Sequence, residues 1–278
     1  MRTAVCSWSL RPSGPEELAS LLRGLRIMRV QLALVPCVED HRRWGHACEQ
    51  LRNDGIDIVS GMLATVGEDY STLESIARTG GVRSDRWWNA NLDRAIRVAE
   101  FAAAHGIPLV TFHAGFIPHE LEAPERTTML DRLRTVIDIF AQRGVDVAFE
   151  TGQESAATLS QALGDLSRPR AGVNFDPANM ILYGMGDPVA AVRTLAPRIR
   201  QVHIKDAMPT AVPGTWGREV RAGDGSVPWR EFLEAVRDAN VAGGRDREDI
   251  ELVIEREAGA ARTGDVAHAR DLLASLGA

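Results

Sequence analysis

The sequence has no apolar run approaching the roughly 18 residues needed to cross a membrane, and residues 1–10 lack the basic-then-apolar pattern of a secretion signal. We therefore expect no membrane partner and a cytoplasmic location. Basic residues are in the minority, because 32 Lys and Arg stand against 38 Asp and Glu, for a formal net charge of −6. Nucleic-acid-binding proteins usually carry a basic field over their surface, so this balance disfavours a nucleic-acid partner.

Cysteine is scarce as well. The three cysteines are Cys6, Cys37 and Cys48, and no two of them have the CxxC spacing of a redox or zinc motif. This predicts reduced thiols rather than a disulfide framework. A glycine-rich phosphate-binding fingerprint is also missing after the first predicted strand, where a doubly wound nucleotide-binding fold would often carry one.

What the chain does have is a regular alternation of short apolar runs with longer amphipathic stretches. The short runs are continuous and rich in Val and Ile, as expected for strands that are buried on both faces. The strands predicted in this way are residues 3–8, 29–34, 56–62, 109–113, 145–150, 172–176, 199–205 and 251–255.

The stretches between these runs have the period of helices. Residues 91–105 and 125–143 each repeat apolar side chains every three to four positions. Ser13 and Glu16 have the spacing of a capping box, and Asp187 before Pro188 is typical of a helix start.

Eight strand–helix units in this order predict an α/β fold, a single (β/α)8 TIM barrel. The length of 278 residues is close to the roughly 250 that are typical of such barrels. No linker-like change of composition divides the chain, so we expect one domain over residues 1–278. Alternation alone does not establish closure, and an open doubly wound sheet is the alternative.

Polar residues interrupt the predicted strands mainly at their carboxyl ends. In a parallel barrel these ends share one face, and barrel active sites lie on that face. Several carboxylates and an imidazole buried together without partners would be costly. Three carboxylates and an imidazole match a divalent cation, so we expect one bound metal, which is Mn²⁺, Mg²⁺, Zn²⁺ or Co²⁺.

Several of these segments together resemble the sugar phosphate isomerase/epimerase family, within the xylose-isomerase-like barrel superfamily. The most specific part is His203-Ile204-Lys205-Asp206 followed by a Gly-Asp-Gly turn and by Pro-Trp-Arg-Glu-Phe. The resemblance covers most of the chain and is strongest over residues 112–255. The segments that carry it are residues 149–151, 174–179, 202–206, 223–225, 228–232 and 254–255.

The resemblance implies that Glu150, Asp176, His203 and Glu255 are the metal ligands. It also implies that Glu150 and Glu255 are the catalytic acid and base, which take and return a proton at a carbon beside a carbonyl. The expected activity is that of a metal-dependent isomerase or epimerase on a small carbohydrate. The metal would stabilise the enediolate that forms.

Five further residues are candidates for substrate binding. The family's ketose epimerases carry a His soon after the strand-six Asp and an Arg soon after the strand-seven His, where this chain offers Asn179 and the more distant Arg218. Lys205 shares a strand face with the histidine two residues before it; its alternative role is a structural ion pair. His113 would contact a hydroxyl, and Trp8 would stack on a sugar's apolar face or serve ordinary packing.

Other functions remain open at this point. The same ligands could serve a lyase or dehydratase on a keto-sugar or keto-inositol. An endonuclease-IV-like repair enzyme would need many more histidine ligands, and a non-catalytic binding barrel would bind no metal tightly. Residues 207–227 form a long loop of the kind that often acts as a lid. The sequence leaves open the substrate's phosphorylation and whether the chain forms a homo-oligomer.

Overall fold

A closed parallel barrel organises the chain. The computed structural model describes residues 1–212, 214–247 and 249–278. Its strands are β1 (Arg2–Cys6), β2 (Arg29–Ala33), β3 (Asp57–Met62), β4 (Leu109–Phe112), β5 (Asp146–Glu150), β6 (Ala171–Phe175), β7 (Ile199–Ile204), β8 (Asp206–Met208), β9 (Arg218–Val220) and β10 (Glu251–Ile254). The barrel order is β1-β10-β7-β6-β5-β4-β3-β2, which confirms the predicted TIM barrel. Each barrel strand begins and ends within two residues of its prediction.

Helices surround the barrel, and none of those described is long and apolar enough to span a membrane. The predicted helices at 91–105 and 125–143 correspond to the helices Asp85–Ala104 and Pro124–Ala141, although the first starts earlier. The helices are α1 (Pro15–Leu25), α2 (Val35–Glu39), α3 (His41–Trp44), α4 (Ala47–Asn53), α5 (Leu73–Thr79), α6 (Asp85–Ala104), α7 (Pro124–Ala141), α8 (Ala156–Leu166), α9 (Pro177–Leu182), α10 (Pro188–Leu195), α11 (Trp229–Ala242) and α12 (Arg262–Ser275).

The two predicted helix caps had different outcomes. Asp187 caps α10 as predicted, since its carboxylate accepts a hydrogen bond from the backbone N–H of Ala190 at 2.7 Å. The capping box of Ser13 with Glu16 is wrong. Gly14 occupies the N-cap of α1, which shifts the third helical position to Glu17, and Glu17 accepts from the backbone N–H of Ser13 at 2.7 Å.

The large apolar core lies between the barrel and its helices rather than inside the barrel. Along β5, Val147 and Phe149 face outward into this core, while the alternate residues Ala148 and Glu150 face inward, as the two-residue period of a strand requires. Inside the barrel the apolar cluster contains only small buried side chains among the described residues, namely Ala4, Cys6 and Val253. TIM barrels usually fill this space with layers of Val, Ile and Leu, so this interior has room for polar groups.

The long segment after β7 folds back as a hairpin over the barrel mouth. The strands β8 and β9, which the sequence did not predict, pair antiparallel. Pro213, within the predicted loop, lies outside the described residues. One carboxylate organises the segment, because buried Asp206 accepts hydrogen bonds from five N–H groups. The donors are the backbones of Ala207, Gly223, Gly225 and Val227 and the Trp229 indole.

The importance of this carboxylate can be tested by removing its charge. We expect Asp206→Asn to lower the free energy of unfolding by about 2–4 kcal/mol, because hydrogen bonds to charged groups contribute about 1.5–3 kcal/mol and an amide presents N–H groups to other donors. The measurement is urea unfolding. Asp187→Asn is the matched control and should cost at most about 0.5 kcal/mol, since Asn also caps helices well. An Asp206→Asn protein as stable as this control would contradict the role.

Candidate metal centre

Four neighbouring strands bring the predicted ligands to one point. In the barrel order β10-β7-β6-β5, Glu255 follows β10, His203 lies in β7, Asp176 follows β6 and Glu150 ends β5. All four side chains are buried. One ligand atom from each lies within 4.8 Å of the others, so these residues form a possible buried metal-binding cluster.

The distances in this cluster suit a cation at its centre. His203 Nδ1 lies 3.3 Å from Glu255 Oε2, 3.6 Å from Glu150 Oε1 and 3.7 Å from Asp176 Oδ2. Bonds of about 2.0–2.2 Å to a shared metal would put adjacent ligands roughly 3.0–3.5 Å apart. Neither His203 Nδ1 nor Asp176 Oδ2 has a hydrogen-bond partner within the described parts of the chain. Buried polar atoms are rarely left so, and the donor set therefore fits a divalent cation.

A buried carboxamide fixes the orientation of the histidine. His203 Nε2 lies 2.8 Å from Gln31 Oε1, which can only accept, and 3.0 Å from Asn174 Nδ2. We assign the Nε2 proton to the shorter contact, which leaves Nδ1 facing the carboxylates. Gln31 is itself held, because its Nε2 donates to Thr111 Oγ1 at 2.7 Å and its oxygen accepts from Gln201 at 3.1 Å. Gln201 extends this hydrogen-bond network to two further buried side chains, because its oxygen accepts from Ser60 and its Nε2 donates to Asn174.

The charge on His203 depends on what occupies the centre. Burial alone would lower its pKa, but the negative groups around it, Glu255 and Glu150 among them, raise this pKa well above its ordinary value. The position that Nδ1 faces therefore attracts positive charge. A proton on Nδ1 and a metal cation would compete for it.

Glu150 is surrounded by amides and histidines. Its two carboxylate oxygens accept hydrogen bonds from Asn179 Nδ2 at 2.9 Å and Asn174 Nδ2 at 3.2 Å. His113 Nε2 is 3.8 Å away. Burial opposes ionisation, but His113 and His203 outweigh it and hold the pKa of Glu150 below its ordinary value. Glu150 is thus a carboxylate whose partners are neutral amides and titratable rings.

Glu255 has a different environment. Its Oε1 accepts from the Trp8 indole at 2.8 Å, and its Oε2 accepts from Lys205 Nζ at 2.9 Å. Burial would raise the pKa of Glu255, but Lys205 and His203 together lower it well below its ordinary value. The two glutamates therefore differ, because Glu255 is paired with a permanent cation.

Lys205 connects the centre to the space above it. The amine is buried and lies 2.9 Å from both Glu255 and Glu257, 3.6 Å from Asp176 and 3.3 Å from the Asn179 amide oxygen. Burial would lower its pKa, but these carboxylates raise it well above the ordinary value. Lys205 therefore forms the structural ion pair that was the alternative to a role in substrate binding. It also lines the cavity.

A cavity of about 670 Å³ opens above the cluster. Among the residues predicted to bind substrate, Trp8, His113, Asn179 and Lys205 line it. Arg218 does not, because it is an exposed residue at the start of β9 and borders a separate surface cleft with Arg221 and Asp224. The other lining residues are Ala33, Val35, Pro36, Met62, Ala64, Glu68, Tyr70, Leu182, Tyr183, Trp216, Glu219 and Glu257.

Several of these residues were not predicted from the sequence. Gln31 interrupts an apolar strand run, and this interruption was the signal that could have identified it. Glu68, Glu219 and Glu257 lie outside the barrel strands, and nothing in their local sequence marks them.

Comparison with known proteins agrees with the barrel fold. The family described as xylose isomerase-like TIM barrel matches residues 49–276. A protein of Escherichia coli, the uncharacterized protein YihM, is 33% identical over 117 residues, which is 36% of this chain and 35% of that protein. The chain thus matches about a third of the length of this curated relative.

Solved structures match over nearly the whole chain. A xylose isomerase domain protein from Planctomyces limnophilus is 29% identical with a TM-score of 0.83, covering 99% of this chain and 95% of that one. The probable 3-DHS dehydratase AsbF from Bacillus anthracis has 16% identity and a TM-score of 0.72, covering 98% of both chains. The 3-keto-D-glucoside 4-epimerase YcjR from E. coli has 14% identity and a TM-score of 0.68, covering 98% and 99%. The last two likenesses concern the fold alone.

The role of Gln31 leads to a prediction about metal affinity. We expect Gln31→Met to weaken Mn²⁺ binding by about 10–100-fold, as is usual when the partner that orients a metal-binding histidine is lost. Isothermal titration measures this. Gln201→Met is the matched control, because it removes a buried amide of the same network that does not touch His203, and it should weaken binding much less. Equal affinities for the two variants would remove the proposed role of Gln31.

Proposed function

We propose that this chain, which belongs to the xylose isomerase-like TIM barrel family, is a divalent-metal-dependent isomerase or epimerase. Its substrate would be a carbohydrate with a carbonyl group, and the reaction a proton transfer at the adjacent carbon. The observation that carries the proposal is the pair of buried carboxylates, Glu150 and Glu255, which come from the two outer strands of the set β10-β7-β6-β5 with His203 and Asp176 between them.

The residues of the chain have distinct tasks in this proposal. Glu150, Asp176, His203 and Glu255 would hold the cation. When bound, the cation would supply Lewis-acid stabilisation for the negative charge that develops on the substrate's oxygens. Glu150 or Glu255 takes a proton from carbon, and the other glutamate returns one, so the substrate's atoms are conserved. Both carboxyls have a lowered pKa, so either one is ionised at neutral pH, as a base must be. The glutamate that returns a proton would first take one up from solvent.

The surrounding residues orient these two groups. Asn179 donates to Glu150 and accepts from Lys205, so one side chain joins the environments of both glutamates. Trp8 fixes the remaining oxygen of Glu255. His113, next to Glu150 and facing the cavity, would donate a hydrogen bond to a substrate hydroxyl or carbonyl.

A lyase is the second candidate. It begins with the same proton abstraction and then expels a leaving group from the next carbon, for which an acid is needed. Glu257 favours this reading, since it lines the cavity beside Lys205. Lys205 lowers its pKa, but the neighbouring charge of Glu255 and partial desolvation of a side chain that is still 53% exposed together raise it. A probable dehydratase has the same fold. An endonuclease-IV-like function has less support, because the metal-capable groups found in the described residues share one histidine, His203.

Metal content tests the cofactor. We expect about one divalent cation per chain in the purified protein after incubation with Mn²⁺, and its loss in Asp176→Asn and His203→Ala, because each removes a ligand. Elemental analysis measures this. His41→Ala, a change at an exposed histidine of α3, should retain the metal. A wild-type protein that holds no metal under these conditions would contradict the proposed enzyme and favour a non-catalytic binding barrel.

Hydrogen exchange tests the acid–base pair. We expect Glu150→Gln and Glu255→Gln each to slow solvent deuterium incorporation into an identified keto-sugar substrate by about 10²–10⁴-fold, the usual contribution of a general acid or base. Glu125→Gln, at an exposed position in α7, should be unchanged. Full turnover in either active-site variant excludes that residue as acid or base. The products distinguish the two candidates, because a lyase yields an unsaturated compound and an isomerase or epimerase does not.

A further inference from the structure

The cavity above the metal centre carries more negative charge than the centre alone requires. Three carboxylates, Glu68, Glu219 and Glu257, belong to its wall, in addition to the three at its floor. Glu68 is bonded to the Gly81 backbone and the Tyr70 hydroxyl, at 3.0 and 3.3 Å, and forms no ion pair with a described residue. A cleft lined by charges of one sign concentrates their field.

The cations that line the same cavity are already engaged. Lys205 and His113 are the basic lining residues in the described part of the chain. Lys205 is bonded to Glu255 and Glu257, and His113 faces Glu150. Behind the wall, the guanidinium of Arg256 pairs with Glu219 at 2.7 Å and also with Asp265.

The backbone offers no anion cradle at the point where the sequence could have placed one. The Gly-Asp-Gly turn at residues 223–225 has backbone N–H groups of the kind that bind phosphate in glycine-rich loops. In this structure the N–H groups of Gly223 and Gly225 donate to Asp206 at 2.9 and 3.2 Å. A Cβ at Gly225 would lie 2.0 Å from the Asp206 carboxylate, so the turn is packed directly against this carboxylate. A phosphate group would find these donors occupied.

One wall of the cavity is aromatic. The Phe116 and Tyr183 rings are 5.6 Å apart and the Tyr183 and Trp216 rings 4.8 Å apart, both edge to face. This row joins the loop after β4, the end of α9 and the β8–β9 hairpin. Tyr183 and Trp216 face the cavity, and Val35, Pro36 and Met62 add apolar surface to its lining.

The size of the cavity exceeds what one sugar ring needs. About 670 Å³ lies within the range of roughly 300–1,000 Å³ that drug-sized ligands occupy. A single ring at the polar floor would leave the aromatic row without a partner. Aromatic side chains offer rigid apolar area on which a second ring can stack.

We infer that the substrate is an uncharged glycoside-like carbohydrate, in which a keto-sugar ring lies over the metal centre and a second ring packs against Tyr183 and Trp216. A phosphorylated sugar is disfavoured, because its dianion would face the wall carboxylates Glu68, Glu219 and Glu257, and the basic groups of the lining are already paired. This inference rests on the proposed function and names the substrate class for the same site.

Three matched probes test the inference. They are methyl β-D-glucoside, phenyl β-D-glucoside and the 6-phosphate of the phenyl glucoside, titrated into the full-length protein with and without Mn²⁺ and followed by saturation-transfer NMR and calorimetry. We expect the phenyl glucoside to bind at least tenfold more tightly than either of the other two. If the phenyl glucoside 6-phosphate binds as tightly as the phenyl glucoside or more tightly, the claim that the cavity disfavours a phosphorylated sugar is overturned. If the methyl and phenyl glucosides bind equally, the claim that a second ring packs in the cavity is overturned.

Variants locate the two effects. Trp216→Ala should remove the preference for the phenyl over the methyl glucoside, and Trp216→Phe should restore it, because the phenylalanine keeps an aromatic face. Glu68→Gln should reduce several-fold the difference in affinity between the phenyl glucoside and its 6-phosphate. It should not change the preference for the phenyl over the methyl glucoside. A phenyl preference that survives Trp216→Ala, or a discrimination that Glu68→Gln leaves unchanged, contradicts the corresponding half of the inference.

The outcomes separate this inference from the proposed function. Failure of all three probes to bind overturns the inference, while metal content and the glutamine variants still decide the function. Binding in the expected order by a protein that holds no metal retains the substrate class and rejects the catalytic proposal.

Discussion

Three carboxylates and an imidazole are buried within 4.8 Å of one another at the barrel mouth, and the structure around them reduces the cost of this arrangement. Two like charges about 4 Å apart repel by roughly 4 kcal/mol at an effective dielectric constant of 20. Three such pairs approach the whole stability of a typical folded protein, about 5–15 kcal/mol. Lys205 offsets part of this repulsion, but it contacts Glu255 and Asp176 and not Glu150. The remaining charge favours a positive group at the centre, which a proton on His203 Nδ1 or a bound metal would supply.

The polar interior of the barrel follows from the same constraint. A histidine that faces three carboxylates with one nitrogen needs a fixed acceptor at the other, and Gln31 provides it from the opposite side of the barrel. A buried Gln has its own hydrogen bonds to satisfy, so Thr111, Gln201 and Ser60 are polar in turn. These side chains occupy the space that bulky aliphatic groups fill in most TIM barrels. The apolar burial that stabilises the chain therefore lies outside the strands, beneath the helices.

The sequence was most informative where a local pattern determines position. The barrel strands could be predicted within two residues because continuous apolar runs mark them. The convergence of polar groups could be predicted because the strand ends of a parallel barrel share one face, while the choice of Glu150, Asp176, His203 and Glu255 came from the family resemblance. Gln31 could have been predicted by the same two-residue alternation. The wall carboxylates could not, because the positions of Glu68 and Glu219 depend on the paths of a loop and of the β8–β9 hairpin. Arg218, which was predicted to bind substrate, does not line the cavity. Its sequence distance from His203 does not show which way a hairpin turns its side chains.

The asymmetry between the two glutamates connects the candidate metal centre to the cavity above it. Glu150 is held by amides and faces His113, while Glu255 is held by Lys205, which also bonds Glu257 on the wall. In the proposed reaction, a substrate hydroxyl that donates a hydrogen bond to Glu257, or displaces the bond from Lys205, would change how much of the Lys205 charge is available to Glu255, whereas Glu150 would not be affected directly. The basicity of Glu255 would thereby be coupled to occupation of the cavity. A reaction that needs one carboxyl to take a proton and the other to return it requires such a difference in environment, since two equivalent carboxylates would compete for the same proton.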